Sequence, residues 1–398
     1  MTDLTALFDG AIIPAKLLTP AERLYAERTT SYRWEVLRHD PATGADVLAG
    51  VLCGVTNGQL AWASNTAVKG SGTATVSDLA AALPGLTRIA DVDLVTARLR
   101  PVLVIEGLPE IPLSVYLITA SPETWTDTGR TLNLELHDKA VVLDQDGVDQ
   151  TFTAPADVPI LTLVAQLIAS AGETITVDAS VTATLAAPKV WEAGTSKLVI
   201  INDLLDTLGW NSLWVDGAGN FRVTPYIKPA ARPITYDILS GVPRELVDGQ
   251  RAIYQPDWQR DRDSYGVPNR VVATGAGGAD APPLSASATN ENPDSPYSYP
   301  RRGRWITTVV SGIDVPDGTD NEKTAALAAR ANATLVAMSA VQAAVQLKHL
   351  PLPLRTSDVL RFRNVPAGID ARHVVVSTTL ECKATGLATT TLQEVTDL

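Results

Sequence analysis

WEAGTSKLVIINDLLDTLGWNSLWVDGAGNFRVTPYI, residues 191–227, changes hydrophobic period partway along, and that change sets the expected fold. In its first half Leu198, Ile201, Leu204, Leu205 and Leu208 recur every three or four residues, the spacing of a helix with one buried face. Thr195 or Ser196 stands where an N-cap is expected, and Gly209 where a helix stops in the left-handed region. From Ser212 the chain predicts two strands flanking the turn Asp216-Gly217-Ala218-Gly219-Asn220. Upstream, VPILTLVAQLIASAG (158–172) sets Ile160, Leu163, Val164, Leu167 and Ile168 at helical spacing and ends in Gly172. Residues 153–230 therefore predict a small helix, helix, hairpin domain.

Outward from this segment the period shortens to two. SYRWEVLRHD (31–40) alternates Tyr32, Trp34 and Val36 with Arg33, Glu35 and Leu37, which suits a strand with one buried face, and PATG follows as a turn. Asn57-Gly58 within VLAGVLCGVTNGQLAWA (47–63) predicts a hairpin. Residues 97–119 predict two strands around Gly107-Leu108-Pro109, and TLNLELHDKAVVL (131–143) predicts a strand through Leu132, Leu134 and Leu136. Past residue 230, RVVATGA (270–276), WITTVVSGI (305–313) and four late segments read as strands. The Ala-rich stretch 320–341 opens acidic and reads as a helix. The Gly-, Pro- and Ser-rich residues 275–304 read as a long loop. The expected class is β-rich α+β, with an N-terminal arm (1–30), a first β domain (31–152), the small domain (153–230) and a second β domain (231–398).

Composition agrees with that architecture and narrows the chemistry. The 398 residues hold 32 Lys and Arg against 44 Asp and Glu, a net charge of −12, which argues against a nucleic-acid binder. Two cysteines, Cys53 and Cys382, make neither a disulfide framework nor a zinc site. The start lacks the basic, apolar pattern of a signal peptide and no stretch has membrane-span length, so the expectation is a soluble chain made in the cytoplasm.

Catalytic signatures are sparse. Ser71 lacks the G-x-S-x-G setting of a nucleophile elbow, and Gly194-Thr195-Ser196-Lys197 departs from a phosphate loop in spacing and order, reading instead as a capped helix start. His39, His137, His349 and His373 are scattered and are expected at surfaces or strand edges. The acidic turns 144–149 and 314–320 do not follow the calcium-loop order and read as turns. Asp257, Asp261 and Asp263 would be the carboxylates of a cell-wall hydrolase, but the interleaved Arg260 and Arg262 favour a solvated, mutually neutralised loop. No catalytic, metal or cofactor residue is assigned. Tyr297, Tyr299, Arg301, Arg302, Arg304 and Trp305 form the candidate interface, since Tyr, Trp and Arg are enriched where proteins meet.

Several motifs together resemble a known family. SYRWEVL, AVKGSGTATVSD, RLRPVLVIEG and ELHDKAVVLDQD, then the 191–227 segment, GVPNRVVATG, NENPDSPYSYPRRGR and TSDVLRFRN in that order, are similar to the minor tail proteins of long-tailed, siphovirus-like phages of actinobacteria. The resemblance spans about residues 31 to 395 and rests on structural rather than catalytic motifs. It implies a baseplate-hub-like protein at the virion tail tip, with two tail-tube-like β-barrels around the small domain. Three copies would close a ring of six quasi-equivalent barrels between the tail tube and the tip. Its implied partners are the distal tail or tube protein, the tape measure protein and downstream tip or fibre proteins, with DNA only in transit through an acidic lumen. The chain ends after its last strand, so a lysin or adhesin is expected on another tail protein. The alternatives are a tail-associated cell-wall hydrolase and a carbohydrate-binding β module, the latter suggested by eight Trp.

Overall fold

Leu132, Leu134 and Leu136 alternate with exposed or half-buried neighbours, and all three are buried at the centre of the main sheet. The computed structural model describes residues 24–25, 28–78, 84–127, 129–177, 182–185, 187–239, 253–261, 265–275, 284–313, 319–339 and 344–395. Two compact units emerge, Met1–Asp257 with Leu347–Thr391, and Trp258–Gln346 with Leu392–Leu398.

The first unit opens with β1 (Thr30–Asp40), β2 (Ala45–Leu52), β3 (Val55–Ala63), β4 (Gly70–Ser77), β5 (Ala97–Ile105), β6 (Ile111–Pro112), β7 (Tyr116–Ala120), β8 (Glu123–Thr126) and β9 (Gly129–Asp138). Hydrogen bonding orders them β3-β4-β9-β7-β5-β1-β2, all antiparallel. Among the described residues the ladder is an open path ending at β2 rather than a closed barrel. Strand β1 departs from a one-faced pattern, since Trp34, Glu35, Val36 and Leu37 are all buried. Glu35 is tolerated there because Arg33 (2.8 Å) and Arg100 (2.6 Å) pair with its carboxylate.

Asn57-Gly58 makes no hairpin turn; both lie inside β3, which follows β2 through Gly54 (φ +82°) but pairs with β4 rather than with β2. Gly58 serves close packing. A Cβ there would sit 2.6 Å from Cζ2 of the buried Trp34, so the indole occupies the space a side chain would need. The predicted strand 131–143 also breaks early. Asp138 accepts from the Gly70 and Ala140 amides at 2.5 and 2.9 Å, capping the turn into α1 (Ala140–Gln145).

The small domain follows: β10 (Phe152–Ala154), α2 (Ile160–Ser170), β11 (Ile175–Val177), β12 (Lys189–Trp191), α3 (Lys197–Thr207), β13 (Trp214–Val215) and β14 (Phe221–Val223). Ser196 is the cap, its Oγ accepting from the Val199 amide, and Gly172 and Gly209 take the left-handed φ of helix stops. The hairpin forms as expected and gains β11 as a parallel partner. Its core joins the apolar faces of α2 and α3 to Trp191, Leu213, Phe221 and Val223.

A buried ion cluster locks this domain onto the main sheet. Arg98 of β5 contacts Asp46 of β2 at 2.8 Å and Glu173, just past α2, at 2.6 Å; Lys139 contacts the same two acids at 3.0 and 2.7 Å. His39 adds a 3.0 Å contact to Asp46. Burial pushes the Asp46 carboxyl up, but the Lys139 and Arg98 charges and the Lys139 and His39 hydrogen bonds outweigh it and leave the pKa lowered.

The chain continues through β15 (Ile234–Leu239) into the second unit, β16 (Gln259–Asp261), β17 (Arg270–Gly275), β18 (Ser285–Thr289), α4 (Tyr299–Arg302), β19 (Thr307–Ile313), α5 (Asp320–Ser339) and β20 (Ala344–His349). Part of the predicted loop 275–304 is thus ordered structure: β18 pairs with β17, while β19 runs parallel to it on the other side. Leu327, Ala331 and Leu335, one helical turn apart on α5, pack against Val271 and Ala273. The last strands, β21 (Val359–Asn364), β22 (Ile369–Glu381) and β23 (Ala388–Glu394), return to the main sheet, where β22 pairs with β3. Strands assigned by sequence to separate barrels are therefore neighbours in one sheet.

Two of the four histidines contradict the expected surface setting. His349 and His373 are fully buried, because each falls at a buried position in the alternating pattern of its strand. Nδ1 of His349 donates to the Leu350 carbonyl (2.7 Å), and Nε2 lies 2.8 Å from the Thr390 hydroxyl, so both ring nitrogens have partners. Burial lowers its pKa to about 4. Burial raises that of Asp138 to about 6, against the lowering effect of its two amide hydrogen bonds.

Removing Glu173 with Glu173→Ala leaves Arg98 and Lys139 with Asp46 as their one shared carboxylate, a buried excess of positive charge, and should cost about 3–5 kcal/mol in urea unfolding at pH 7. A loss under 1 kcal/mol would mean that the cluster is hydrated and weak. The two shifted groups make opposite contributions to acid stability. His349 takes up a proton in the unfolded chain first, so its contribution falls as pH drops from 6.5 towards 4. Asp138 holds its proton in the folded state, so its contribution rises as pH drops from 6 towards 3.8. Relative to the parent, D138N should lose about 1.4 kcal/mol per pH unit between pH 6 and 4; parallel stability curves would refute the assignment.

Candidate functional site

The predicted aromatic and arginine residues converge in the second unit, at the end of the sheet where β17 and β19 begin. Ser298 precedes α4, and Gly303, with a φ of +64°, ends it after a single turn. That reversal lays Tyr299 on Trp305, ring centroids 4.2 Å apart and 16° from parallel. The Arg270 guanidinium lies 3.9 Å from the Trp305 ring centre. Arg302 stands over Tyr297 at 5.0 Å and Arg304 over Tyr265 at 4.7 Å.

The scaffold beneath is polar and well connected. Asn269 is fully buried; its Nδ2 donates to the Arg304 carbonyl (2.9 Å) and its Oδ1 accepts from the Ile306 amide (2.8 Å), fixing the segment before β19 that carries Trp305. Arg302 donates to the Val267 carbonyl at 2.7 Å and Arg301 to the Pro293 carbonyl at 3.0 Å. The Tyr299 amide donates to the Asn290 carbonyl, and Asn290 Nδ2 reaches Ser295 Oγ at 2.9 Å. All six predicted interface residues therefore share one patch, with Tyr299 and Tyr265 exposed at its surface. Sequence reasoning missed Tyr265, Asn269 and Arg270. The signal for Asn269 and Arg270 was GVPNRVVATG (266–275) itself, read as a motif and a strand start without asking what its first residues would face, and Tyr265 stands immediately before it.

The other candidates are not drawn together. Asp257 and Asp261 are exposed, and Arg260 pairs with Glu394 at 2.7 Å instead of neutralising them; Arg262 and Asp263 lie outside the described residues. Asp146 of the first acidic turn pairs with Lys197 at 2.5 Å, while the Val148 amide donates to the Thr195 carbonyl, so this turn clamps the start of α3. The second acidic turn falls mostly outside the described residues. Ser71 lies in β4 opposite His137, whose Nδ1 is 3.1 Å from Thr119 Oγ1. The patch around Trp305 offers flat rings and guanidinium groups, a chemistry of recognition rather than bond cleavage.

No family model matches the sequence, and no curated protein matches it in sequence. Solved structures do. The fold is similar to a tail protein from Neisseria meningitidis MC58, with TM-score 0.62 and 13% identity over 92% of this chain and 97% of that one. It is similar to the 43 kDa tail protein of prophage MuSo2 from Shewanella oneidensis, with TM-score 0.59 and 11% identity over 92% and 98%. A Francisella PdpA-VgrG complex gives TM-score 0.54 at 7% identity, covering 94% of this chain and 59% of that one. At such identities the likeness is one of fold, and the chain accordingly has the β-rich fold seen in prophage tail proteins and in a VgrG complex.

Proposed function

We propose that the chain is a structural, non-enzymatic phage tail protein that acts as a hub at the distal tip. The observation that carries this reading is the extent of the likeness, which takes in 92% of this chain and nearly all of two separate tail proteins. The motif order described above adds a siphovirus-like, actinobacterial origin. In this reading three copies form a ring. Strands from 31–152 and 231–398 supply tube-like walls that close as barrels in the assembly, and 153–230 is carried beside them. The ring joins the tail tube to tip or fibre proteins, meets the tape measure protein, and passes DNA through a channel whose acidity keeps it from sticking.

Two surface features support an assembly. Strand β2 ends the described ladder and exposes Val47 and Leu48, an edge that a neighbouring subunit would cover. The Tyr299, Trp305 and arginine patch has the composition of an interface centre. Native mass spectrometry should find a species at three times the 42.2 kDa subunit mass, with negative-stain images of a ring around a hole. A stable monomer at micromolar concentration, alone and with its tube partner, would sink the hub reading. R304E reverses an exposed charge whose side chain sits over Tyr265, and it should weaken the trimer at least tenfold while leaving the far-UV spectrum unchanged. An unaltered trimer would remove the patch from the subunit interface.

A further inference from the structure

The charge cluster that ties β2 and β5 to the ends of two helices holds an amine, a carboxyl group and a second acid in contact, out of water. Lys139 and Glu173 are 2% and 3% exposed, and the Asp46 side chain is 8% exposed. Lys139 Nζ donates to Asp46 Oδ2 at 3.0 Å and lies 2.7 Å from Glu173 Oε2. The fully buried Phe221 ring closes one side, its centre 5.5 Å from the same nitrogen. An exposed lysine and aspartate pair has neither the third group nor the dry surroundings.

Two details set this arrangement apart from an ordinary ion pair. The oxygens of Asp46 have different partners among the described residues: Oδ1 meets Arg98 Nη1 (2.8 Å) and His39 Nδ1 (3.0 Å), while Oδ2 meets Lys139. One oxygen is thus placed to carry the charge of a tetrahedral intermediate, and the other faces the amine and is free to leave. Glu173 divides its oxygens likewise. Oε1 accepts from Arg98 at 2.6 Å, whereas Oε2, though 2.7 Å from Nζ, makes no hydrogen bond, the approach being off the bonding axis. A buried carboxylate oxygen left in this way beside an amine calls for an explanation.

We propose that Lys139 and Asp46 condense into a side-chain amide, with Glu173 as the proton carrier. In the resting cluster Asp46 is a carboxylate, since burial pushes its pKa up but the Lys139 and Arg98 charges leave it lowered. The step therefore starts when a proton passes from Nζ to Oδ2 across their hydrogen bond. The cluster stays balanced, because Arg98 and Glu173 still pair at 2.6 Å. The neutral amine adds to Cγ of Asp46, and Arg98 answers the charge that develops on Oδ1. Glu173 Oε2 takes a proton from the attacking nitrogen and passes it to the departing Oδ2. The C–O bond breaks, one water leaves and the new C–N bond remains, with no oxidant or further reactant required. Fixed geometry replaces chemical activation of the acid, and removing two of four buried charges favours the product.

The bond joins positions 93 residues apart. Strand β2, which ends the described ladder and pairs there with β1, becomes covalently attached to the turn that follows β9 near the middle of the sheet. The open end of the sheet is then fastened against peeling, whatever the chain assembles with.

Intact-mass spectrometry of the full chain under denaturing conditions distinguishes the ion pair from the amide. After allowing for the substitution, the parent should be lighter than K139R by about 18 Da, the water released, and its proteolytic digest should contain a branched peptide joining residues 46 and 139. E173Q keeps the shape of the side chain but cannot carry the proton. In material whose far-UV spectrum matches the parent's, its cross-linked fraction should be at least about tenfold smaller at equal times. A parent at its full sequence mass after storage at neutral pH would overturn the proposal whatever the variants do. So would a loss of water that maps elsewhere, such as a succinimide at Asp216-Gly217, or a folded E173Q that cross-links as fast as the parent. None of these outcomes depends on the subunit ring, which native mass spectrometry reports separately.

Discussion

Four buried charges, Asp46, Arg98, Lys139 and Glu173, hold the first unit together as one object. Each comes from a different part of the chain, and the acids and bases balance. Buried ions are stabilising only as a complete set, because one missing partner leaves an uncompensated charge in a poor solvent. The cluster therefore acts less as a source of stability than as a test of register. Strands β2 and β5, the turn into α1 and the end of α2 have one relative placement in which every charge is answered. That is what allows a small helical domain to keep a fixed position on a sheet built from much more distant sequence.

The fixed position has consequences at the hairpin. Gly217 and Gly219 let the β13–β14 turn lie directly on Pro112 and Val115, where any side chain would collide. This contact forms one wall of a cavity of about 100 Å³ and is supported by Asp216, whose Oδ1 accepts from the Ala218 and Asn220 amides at 3.0 and 2.9 Å. Thus the D-x-x-G pattern does more than turn the chain. It shapes the turn so that the backbone of one domain can close over another, leaving a cavity instead of a packed seam.

Legibility in the sequence followed the range of the forces involved. Helices α2 and α3, their glycine stops, the 216–220 turn and the alternating leucines of β9 are set by neighbours within a few residues, and their pattern was readable. Gly58 was misread because asparagine-glycine reports local turn preference, whereas the actual constraint is the Trp34 indole arriving from another strand. Glu35 was assigned to a wet face because nothing local reveals that Arg33 and Arg100 would accompany it inside. The buried histidines failed for the same reason, and strand β18 was lost in a stretch whose small residues carry little hydrophobic signal. At the candidate interface the six aromatic and arginine residues were legible because they are close in sequence. Arg270 and Tyr265, which complete it, were not, since only the parallel pairing of β17 with β19 brings them alongside.

The second unit builds its aromatic and arginine patch from few residues. A three-stranded sheet with a single covering helix has a small core of valine, alanine and leucine, and it cannot hold a large aromatic patch by packing alone. Asn269 supplies the missing constraint. It is fully buried, with both ends of its amide engaged by the Arg304–Ile306 segment, and would leave unpaired polar atoms if that segment shifted. The patch is consequently positioned by hydrogen bonds to its backbone and by stacking of Tyr299 and Arg270 on Trp305. Aromatic groups held by such hydrogen bonds are ordered within the unit itself, and ordered aromatic surfaces lose little entropy in any contact they make. The small size of the unit is then no handicap, since its rigidity rests on hydrogen bonds that are satisfied in only one arrangement.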